Sequence, residues 1–125
     1  NAIVNRQGLA VMGRGVALQA ATRWPHLRRY FAVRLLSEGS HVHSLGSFNV
    51  PGGYWNLYSF PVKHHWRDRA DLDLIARSCQ EIMSWQEDMF AMVRPGCGNG
   101  GLDWESQVKP ICEELLDDRF VVLNR

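Results

Sequence analysis

Phe90-Ala91-Met92-Val93-Arg94-Pro95-Gly96-Cys97-Gly98-Asn99-Gly100-Gly101-Leu102-Asp103-Trp104 sets the architecture of this chain. A short apolar strand (Phe90 to Val93) runs into a glycine loop, and a helix follows, roughly Glu105 to Leu116. Four of the six residues from Gly96 to Gly101 are glycine, so the backbone can take positive φ and approach a ligand closely. Successive N–H groups in such a loop can point into one concavity and hold an anion. The helix adds its positive N-terminal end. A tight strand-to-helix turn that binds nothing has the same composition, so this loop alone leaves both readings open.

Working outward, Arg119 to Leu123 closes the chain as a strand, which completes a strand–helix–strand unit. Upstream, Leu72, Ile75, Ala76, Cys79, Ile82 and Met83 recur at helical spacing over Ala70 to Trp85. Tyr54 to Phe60 is an aromatic-rich strand, joined by the turn Pro51-Gly52-Gly53 to a strand over His41 to Phe48. In that strand Val42, Ser44 and Gly46 alternate with His43, Leu45 and Ser47. A helix over His26 to Ser37 carries Leu27, Tyr30, Phe31 and Leu35 on one face, with Gly39 as its cap. Pro25 separates it from a helix over Val16 to Arg23. Ala2 to Val11 is a loop or a short extended piece. Strands separated by helices predict an α/β sandwich with a mixed sheet, partly antiparallel at the short 51–53 turn.

Met12-Gly13-Arg14-Gly15-Val16 repeats the physics of the first loop: glycine, then a helix start. Two such loops suit a ligand with two adjacent phosphates, gripped from both sides. No Gly-Lys-Ser/Thr follows either loop, so a nucleotide triphosphatase is not expected. Gly96 to Gly101 does carry the G-x-G-x-x-G spacing, but that spacing alone is a weak signal and a dehydrogenase is not expected.

Bulk composition narrows the class further. At 125 residues the chain fits one domain, residues 1–125. Lys plus Arg number 14 against 13 acids, so no global charge draws the chain to nucleic acid. Three cysteines without a C-x-x-C pair point to reduced thiols and a cytoplasmic protein, without a disulfide framework or zinc. No apolar run approaches the ~20 residues of a membrane span, and no membrane partner is expected. The opening Asn1-Ala2-Ile3-Val4 is neither a methionine nor a targeting pattern and reads as the start of a fragment.

Three segments resemble the macrodomain family. Met12-Gly13-Arg14-Gly15-Val16-Ala17-Leu18-Gln19 is similar to the family's V-M-G-K-G-I-A-L-Q. Gly96 to Trp104 is similar to its second phosphate loop, G-C-G-x-G-G-L-x-W. Phe60-Pro61-Val62-Lys63-His64-His65-Trp66-Arg67 resembles F-P-T-K-x-H-W-R. That third motif points to the branch of the antitoxin macrodomain that removes ADP-ribose from DNA. Its relatives are the terminal ADP-ribose protein glycohydrolase and phage-encoded macrodomains.

The resemblance implies a three-layer α/β/α sandwich with ADP-ribose in a cleft at the strands' carboxyl ends. Its diphosphate would sit between Met12–Val16 and Gly96, Cys97, Gly98, Asn99, Gly100 and Gly101, with Pro61 near by. Asn1 would match the asparagine that faces the distal ribose, and Lys63 the catalytic lysine. Two departures are visible. Nothing precedes Asn1 to match the usual first strand and its adenine-recognising aspartate. Gly100 stands where the protein glycohydrolase carries an acid, as it does in the DNA-directed antitoxin.

An amine between imidazoles and aromatics can be partly neutral, so Lys63 could attack the anomeric carbon of the distal ribose or assist its cleavage by charge. A solvated lysine at a strand end is the bland alternative. His64, His65, His41 and His43 lack zinc spacing, and neither metal nor cofactor is expected. Cys97 sits where a helix N-terminus would stabilise a thiolate, but its expected role is backbone contact. Asp103 is a helix cap. Trp66 and Trp104 are expected in core or cleft wall. Lys63, Arg67 and Arg69 form a modest basic cluster. The expected function is an ADP-ribosyl hydrolase acting on modified DNA or protein. A non-catalytic ADP-ribose reader and an ADP-ribose 1''-phosphate phosphatase are the alternatives.

Overall fold

The computed structural model describes Asn1 and residues 3–123. Ala2, with which the predicted opening loop begins, lies outside the described residues, as do Asn124 and Arg125. The opening loop folds back on itself through an isolated bridge between Val4 and Ala10. Asn5 Oδ1 closes the turn by accepting from the Gln7 and Leu9 amides.

Helices α1 (Gly15–Arg23) and α2 (Leu27–Glu38) come next. They are interrupted at Pro25, which has no N–H to continue the ladder. Gly39 ends α2 at φ 82, donating its amide to the Leu35 carbonyl. Leu27 and Leu35 of the predicted apolar face are buried, whereas Tyr30 is turned out to solvent. Ala32 is also buried, so the inward face is centred on Leu27, Phe31 and Ala32, about a third of a turn from Tyr30.

Strands β1 (Ser44–Val50) and β2 (Gly53–Tyr58) pair antiparallel across the 51–52 turn. β1 begins three residues later than its pattern suggests. The Val42 amide and the His41 ring are both taken by Glu81 of the next helix. The predicted alternation also fails at Gly46, which takes φ 98 where the register shifts. This bulge puts Leu45 and Phe48 on the same buried side although they are three apart.

Helix α3 (Leu72–Ile82) starts at Asp71, whose carboxylate accepts from the Asp73 and Leu74 amides. Strand β3 (Phe90–Val93) follows. A π-helical turn, Trp104–Val108, then leads into α4 (Lys109–Leu115). The continuous helix predicted here is split because Pro110 cannot donate to residue 106 and its ring crowds that carbonyl. The turn widens, and the Val108 amide reaches the Asp103 carbonyl at 3.2 Å. Strand β4 (Phe120–Leu123) pairs parallel with β3. Parallel pairing needs such a crossover, and the glycine loop sits at its start.

The helices pack in two pairs with the strands between them. α1 and α2 close over β1 and β2 around Leu27, Leu35, Leu45 and Phe48. α3 packs on α4 through Ile75, Cys79, Val108 and Cys112. Val42, Ile82 and Phe90 join the α3 side to the strands. This is the expected three-layer α/β/α arrangement. The antiparallel and parallel pairings of a mixed sheet are both present, as two ladders that share no hydrogen-bonded strand among the described residues.

Candidate functional site

A cleft of about 1070 Å³ lies between β2 and β3 and is lined by residues of both glycine loops, the second of which follows the carboxyl end of β3. Nine of the predicted site residues line it: Arg14, Gly15, Val16, Lys63, Gly96, Cys97, Gly98, Asn99 and Gly100. Asn1, Met12 and Pro61 line a neighbouring cavity of about 130 Å³, which shares Val16. Gly13 and Gly101 line neither. The Asn1 side chain is engaged locally, accepting from the Ile3 amide at 2.9 Å and donating to the Val11 carbonyl at 3.4 Å. It thereby fixes the segment that enters the first loop.

The second loop owes its shape to different glycines for different reasons. A Cβ on Gly100 would lie 2.4 Å from the Gly96 carbonyl oxygen and 2.8 Å from the Ala70 side chain. One on Gly96, at φ +75, would meet Ile75 at 2.8 Å. These two glycines let the loop pack against α3. Gly98, at φ +110, has open space where its side chain would be, and that space is cleft. Among the described residues, the amides of Gly96, Gly98, Asn99 and Gly100 find no protein acceptor. Unpaired amides in a glycine loop are donors awaiting an anion.

The first loop adds donors from the opposite side. Arg14 precedes α1 without a side-chain cap, and Gly15 starts the helix at φ 60. The first-turn amides of α1 are thus left for solvent or a ligand, with the helix dipole behind them.

Lys63 reaches from the end of the 60–63 segment toward the second loop. Its Nζ donates to the Trp66 carbonyl at 3.2 Å and the Asn99 carbonyl at 3.4 Å. Neither neighbouring imidazole touches it: His64 pairs with Asp71 at 2.9 Å, and His65 Nδ1 accepts from the Arg67 amide. The His64 contact first, then the Asp73 amide, hold the Asp71 carboxyl below its ordinary value.

Arg69, read in the sequence only as part of a basic cluster, braces the second loop. Its Nε and Nη2 donate to the Gly101 carbonyl at 3.2 and 2.7 Å. The Ala70 amide donates to the Gly100 carbonyl at 2.9 Å. The segment carrying Lys63 is thereby fastened to the glycine loop. Arg94, also in the cleft wall, lies over the Trp104 ring at 5.3 Å. Among the described residues, Arg14, Lys63 and Arg94 pair with no carboxylate. Three cations without a carboxylate partner among the described residues therefore line the cleft together with the second loop.

Cys97 lines the cleft, and burial pushes its thiol up, with the π-helical turn starting only at Trp104. One expectation needs correction: Trp66, expected in core or cleft wall, belongs to none of the buried clusters, lines neither cavity and is 45% exposed. Trp104 is half-buried against the α3–α4 core as expected. Asp103 caps the last helical segment, accepting from the Ser106 amide and hydroxyl. At the far end of the cleft, Glu87 accepts from Asn56 and Tyr58. Burial first, and Glu87 next, push the Tyr58 hydroxyl up to about 12. The sequence carries no spacing that links these three residues. Among the described residues no cluster of His, Cys, Asp or Glu has the make-up of a metal site, and no helix is long and apolar enough to cross a membrane.

No family model matches the chain. It is 28% identical over 119 residues to a DNA ADP-ribosyl glycohydrolase of Thermus aquaticus, covering 87% of this chain and 32% of that protein. Identity to the DNA ADP-ribosyl glycohydrolase of Mycobacterium tuberculosis is 31% over 105 residues, covering 78% and 29%. The chain thus spans about a third of the length of the curated relatives it matches. The macrodomain of Mycobacterium tuberculosis DarG superposes with a TM-score of 0.69 at 27% identity, over 92% of this chain and 82% of that one. The macrodomain of Thermus aquaticus DarG shares the fold, with a TM-score of 0.71 at 24% identity over 94% and 84%.

Proposed function

We propose that this chain, which is similar to the macrodomains of the DarG-like branch, binds ADP-ribose in the loop-lined cleft and removes it from modified DNA. The observation that carries the reading is the convergence of three things on one cleft. These are the unpaired amides of the second loop, the uncapped start of α1, and Lys63. A diphosphate matches two facing sets of N–H donors and the unpaired cations Arg14 and Arg94. With the diphosphate there, the distal ribose extends toward Lys63 and Val16, one of the residues shared with the cavity that Asn1 lines. In this reading Asn1 orients the ribose side indirectly, by fixing Val11 ahead of the first loop.

The reaction breaks the bond between the anomeric carbon and the DNA. Lys63 serves it in one of two ways. As an ammonium held by two carbonyls it lowers the energy of the charge that develops as the DNA leaves, and water adds to the carbon. As a neutral amine it bonds to the carbon itself, and water then releases ADP-ribose and restores the lysine. Either route yields ADP-ribose and unmodified DNA. The two carbonyl contacts of Nζ are compatible with either route, since the ammonium and the neutral amine both have hydrogens to donate.

The deciding experiment offers the protein ADP-ribosylated DNA, ADP-ribosylated protein and ADP-ribose 1''-phosphate. Release of ADP-ribose from the DNA at the highest rate is the expected result. Binding of free ADP-ribose without turnover of any of the three would make the chain a reader.

A further inference from the structure

Asp71 holds the chain on both sides of Lys63. Its amide donates to the Val62 carbonyl at 2.8 Å. Its carboxylate Oδ2 takes the His64 ring, with Nε2 at 2.9 Å. The other oxygen, Oδ1, accepts from the Asp73 and Leu74 amides and so caps α3. A cap needs only that one oxygen, and a serine would supply it. The Oδ2–His64 contact is left over by the capping role. Its effect is to tie the residue after Lys63 to the same helix start that holds the residue before it. The lysine side chain thus leaves a fixed point of the backbone, and from there Nζ reaches the Trp66 and Asn99 carbonyls. The return limb of the loop is fastened separately, by the Ala70 amide on Gly100 and by Arg69 on Gly101.

We infer that Asp71 and His64 are positioning residues for Lys63, the carboxylate clamping the imidazole so that the lysine is presented to the second glycine loop. This rests on the proposed role of Lys63 in the release of ADP-ribose. Neither residue lines the cleft, so the pair acts through the lysine and not on the ligand. The pair is exposed, and as an ion pair it adds little to stability. Its weight is geometric, because a displacement of about 1 Å at a reacting group can cost up to roughly a hundredfold in rate.

The test uses the full chain with His64→Ala, His64→Gln, Asp71→Ser and the double variant of His64→Ala with Asp71→Ser. Serine still caps α3 but is too short to reach His64, and the Val62–Asp71 backbone bond is untouched. Glutamine keeps a donor for Oδ2. Release from ADP-ribosylated DNA is read in single turnover, and ADP-ribose affinity by calorimetry. His64→Ala and Asp71→Ser should each slow release about tenfold at unchanged affinity. His64→Gln should restore most of the rate, and the double variant should fall no further than either single one. A second readout needs no turnover. Lys63 and Lys109 are the chain's two lysines, so acetylation of Lys63 by acetic anhydride can be measured against Lys109 in the same molecule. Loss of the clamp should raise that ratio at least about threefold, as the amine leaves its two carbonyls. Losses that multiply in the double variant overturn the inference, as does an acetylation ratio unchanged in both single variants. A fall in ADP-ribose affinity that matches the fall in release overturns it too, by making the pair a part of the cleft's structure. If wild type releases no ADP-ribose, the proposed activity fails, and the acetylation ratio still decides the clamp.

Discussion

Lys63 Nζ and the carbonyl oxygen of Asn99 lie 3.4 Å apart across 36 residues of sequence. Through this contact the lysine of one motif is held against the glycine loop of another. A group positioned this way acts on whatever the loop binds, and its loss should show in turnover before it shows in affinity. Lys63→Ala should keep ADP-ribose affinity within a few fold while release from modified DNA falls by at least about a hundredfold. Lys63→Arg separates the two routes, since arginine keeps the charge but is never a neutral nucleophile. Substantial rescue means charge, and no rescue means attack. Single-turnover release measured beside calorimetry decides it, and equal turnover by wild type and Lys63→Ala would remove the lysine from the mechanism.

The loop glycines divide into packing and binding positions, and mutation should separate them. Gly100→Ala drives a methyl into the Gly96 carbonyl and should cost about 2–3 kcal/mol of stability. Gly98→Ala meets no atom but must hold φ +110, at roughly 1–2 kcal/mol. Gly98→Glu fills the cleft beside the phosphates and should abolish ADP-ribose binding while the protein still unfolds cooperatively. Thermal denaturation paired with calorimetry checks all three. Tight ADP-ribose binding by Gly98→Glu would put the diphosphate elsewhere.

Arg69 is expected to be a positioning residue. Its two hydrogen bonds to the Gly101 carbonyl brace the far end of the second loop. Arg69→Ala should weaken ADP-ribose binding by about 1 kcal/mol, roughly fivefold, with little change in release at saturating substrate. A fall in turnover without a change in affinity would show that Arg69 acts on the chemistry instead.

Tyr58 should reveal its contact with Glu87 in an alkaline titration. The chain has three tyrosines; with its hydroxyl pushed to about 12, Tyr58 should ionise well after an ordinary phenol at about 10. A group raised in the folded state stabilises fully below its unfolded value and loses that contribution as pH climbs to the folded one. The absorbance change near pH 12 should vanish in Tyr58→Phe, and the variant should lose less stability than wild type between about pH 10 and 12. Three tyrosines titrating together near 10 would refute the contact.

Asp71 makes the opposite prediction at acid pH. Its carboxyl lies below the ordinary value, through His64 first and the Asp73 amide next. The stabilisation is present above the unfolded value, about 4, and is lost as pH falls through the lower folded one. Asp71→Ala should therefore melt lower than wild type at neutral pH, with the gap closing on acidification. A gap that stays constant down to pH 2 would mean that the carboxylate's charge does no work at the start of α3.

The parts legible in sequence share one property: the signal lies within a few residues. The strand at Phe90–Val93 appears where its apolar run ends at Pro95, and the α1–α2 break falls where Pro25 removes an N–H. The errors arise where a distant group intervenes. β1 starts late because Glu81 of α3 captures Val42 and His41. The helix expected over 105–116 is split at Pro110, whose effect depends on the carbonyl it faces. Trp66 reads as core by residue type, yet the buried clusters close without it.

By itself the sequence determined which chemistry this chain carries: two glycine loops, a lysine segment between them, and strands and helices in α/β order. Glycine content and apolar spacing express themselves over a single turn or strand, so they survive without knowledge of the neighbours. Only the tertiary structure decided that Lys63 meets Asn99, that Arg69 holds Gly101, and that Gly98 opens the cleft while Gly100 is shut inside it. The tertiary structure also set Asn1 beside the cleft and not within it. Those relations join residues far apart in the chain. They exist only once packing of α3 against α4, and of β1 and β2 against α1 and α2, has fixed where each loop ends.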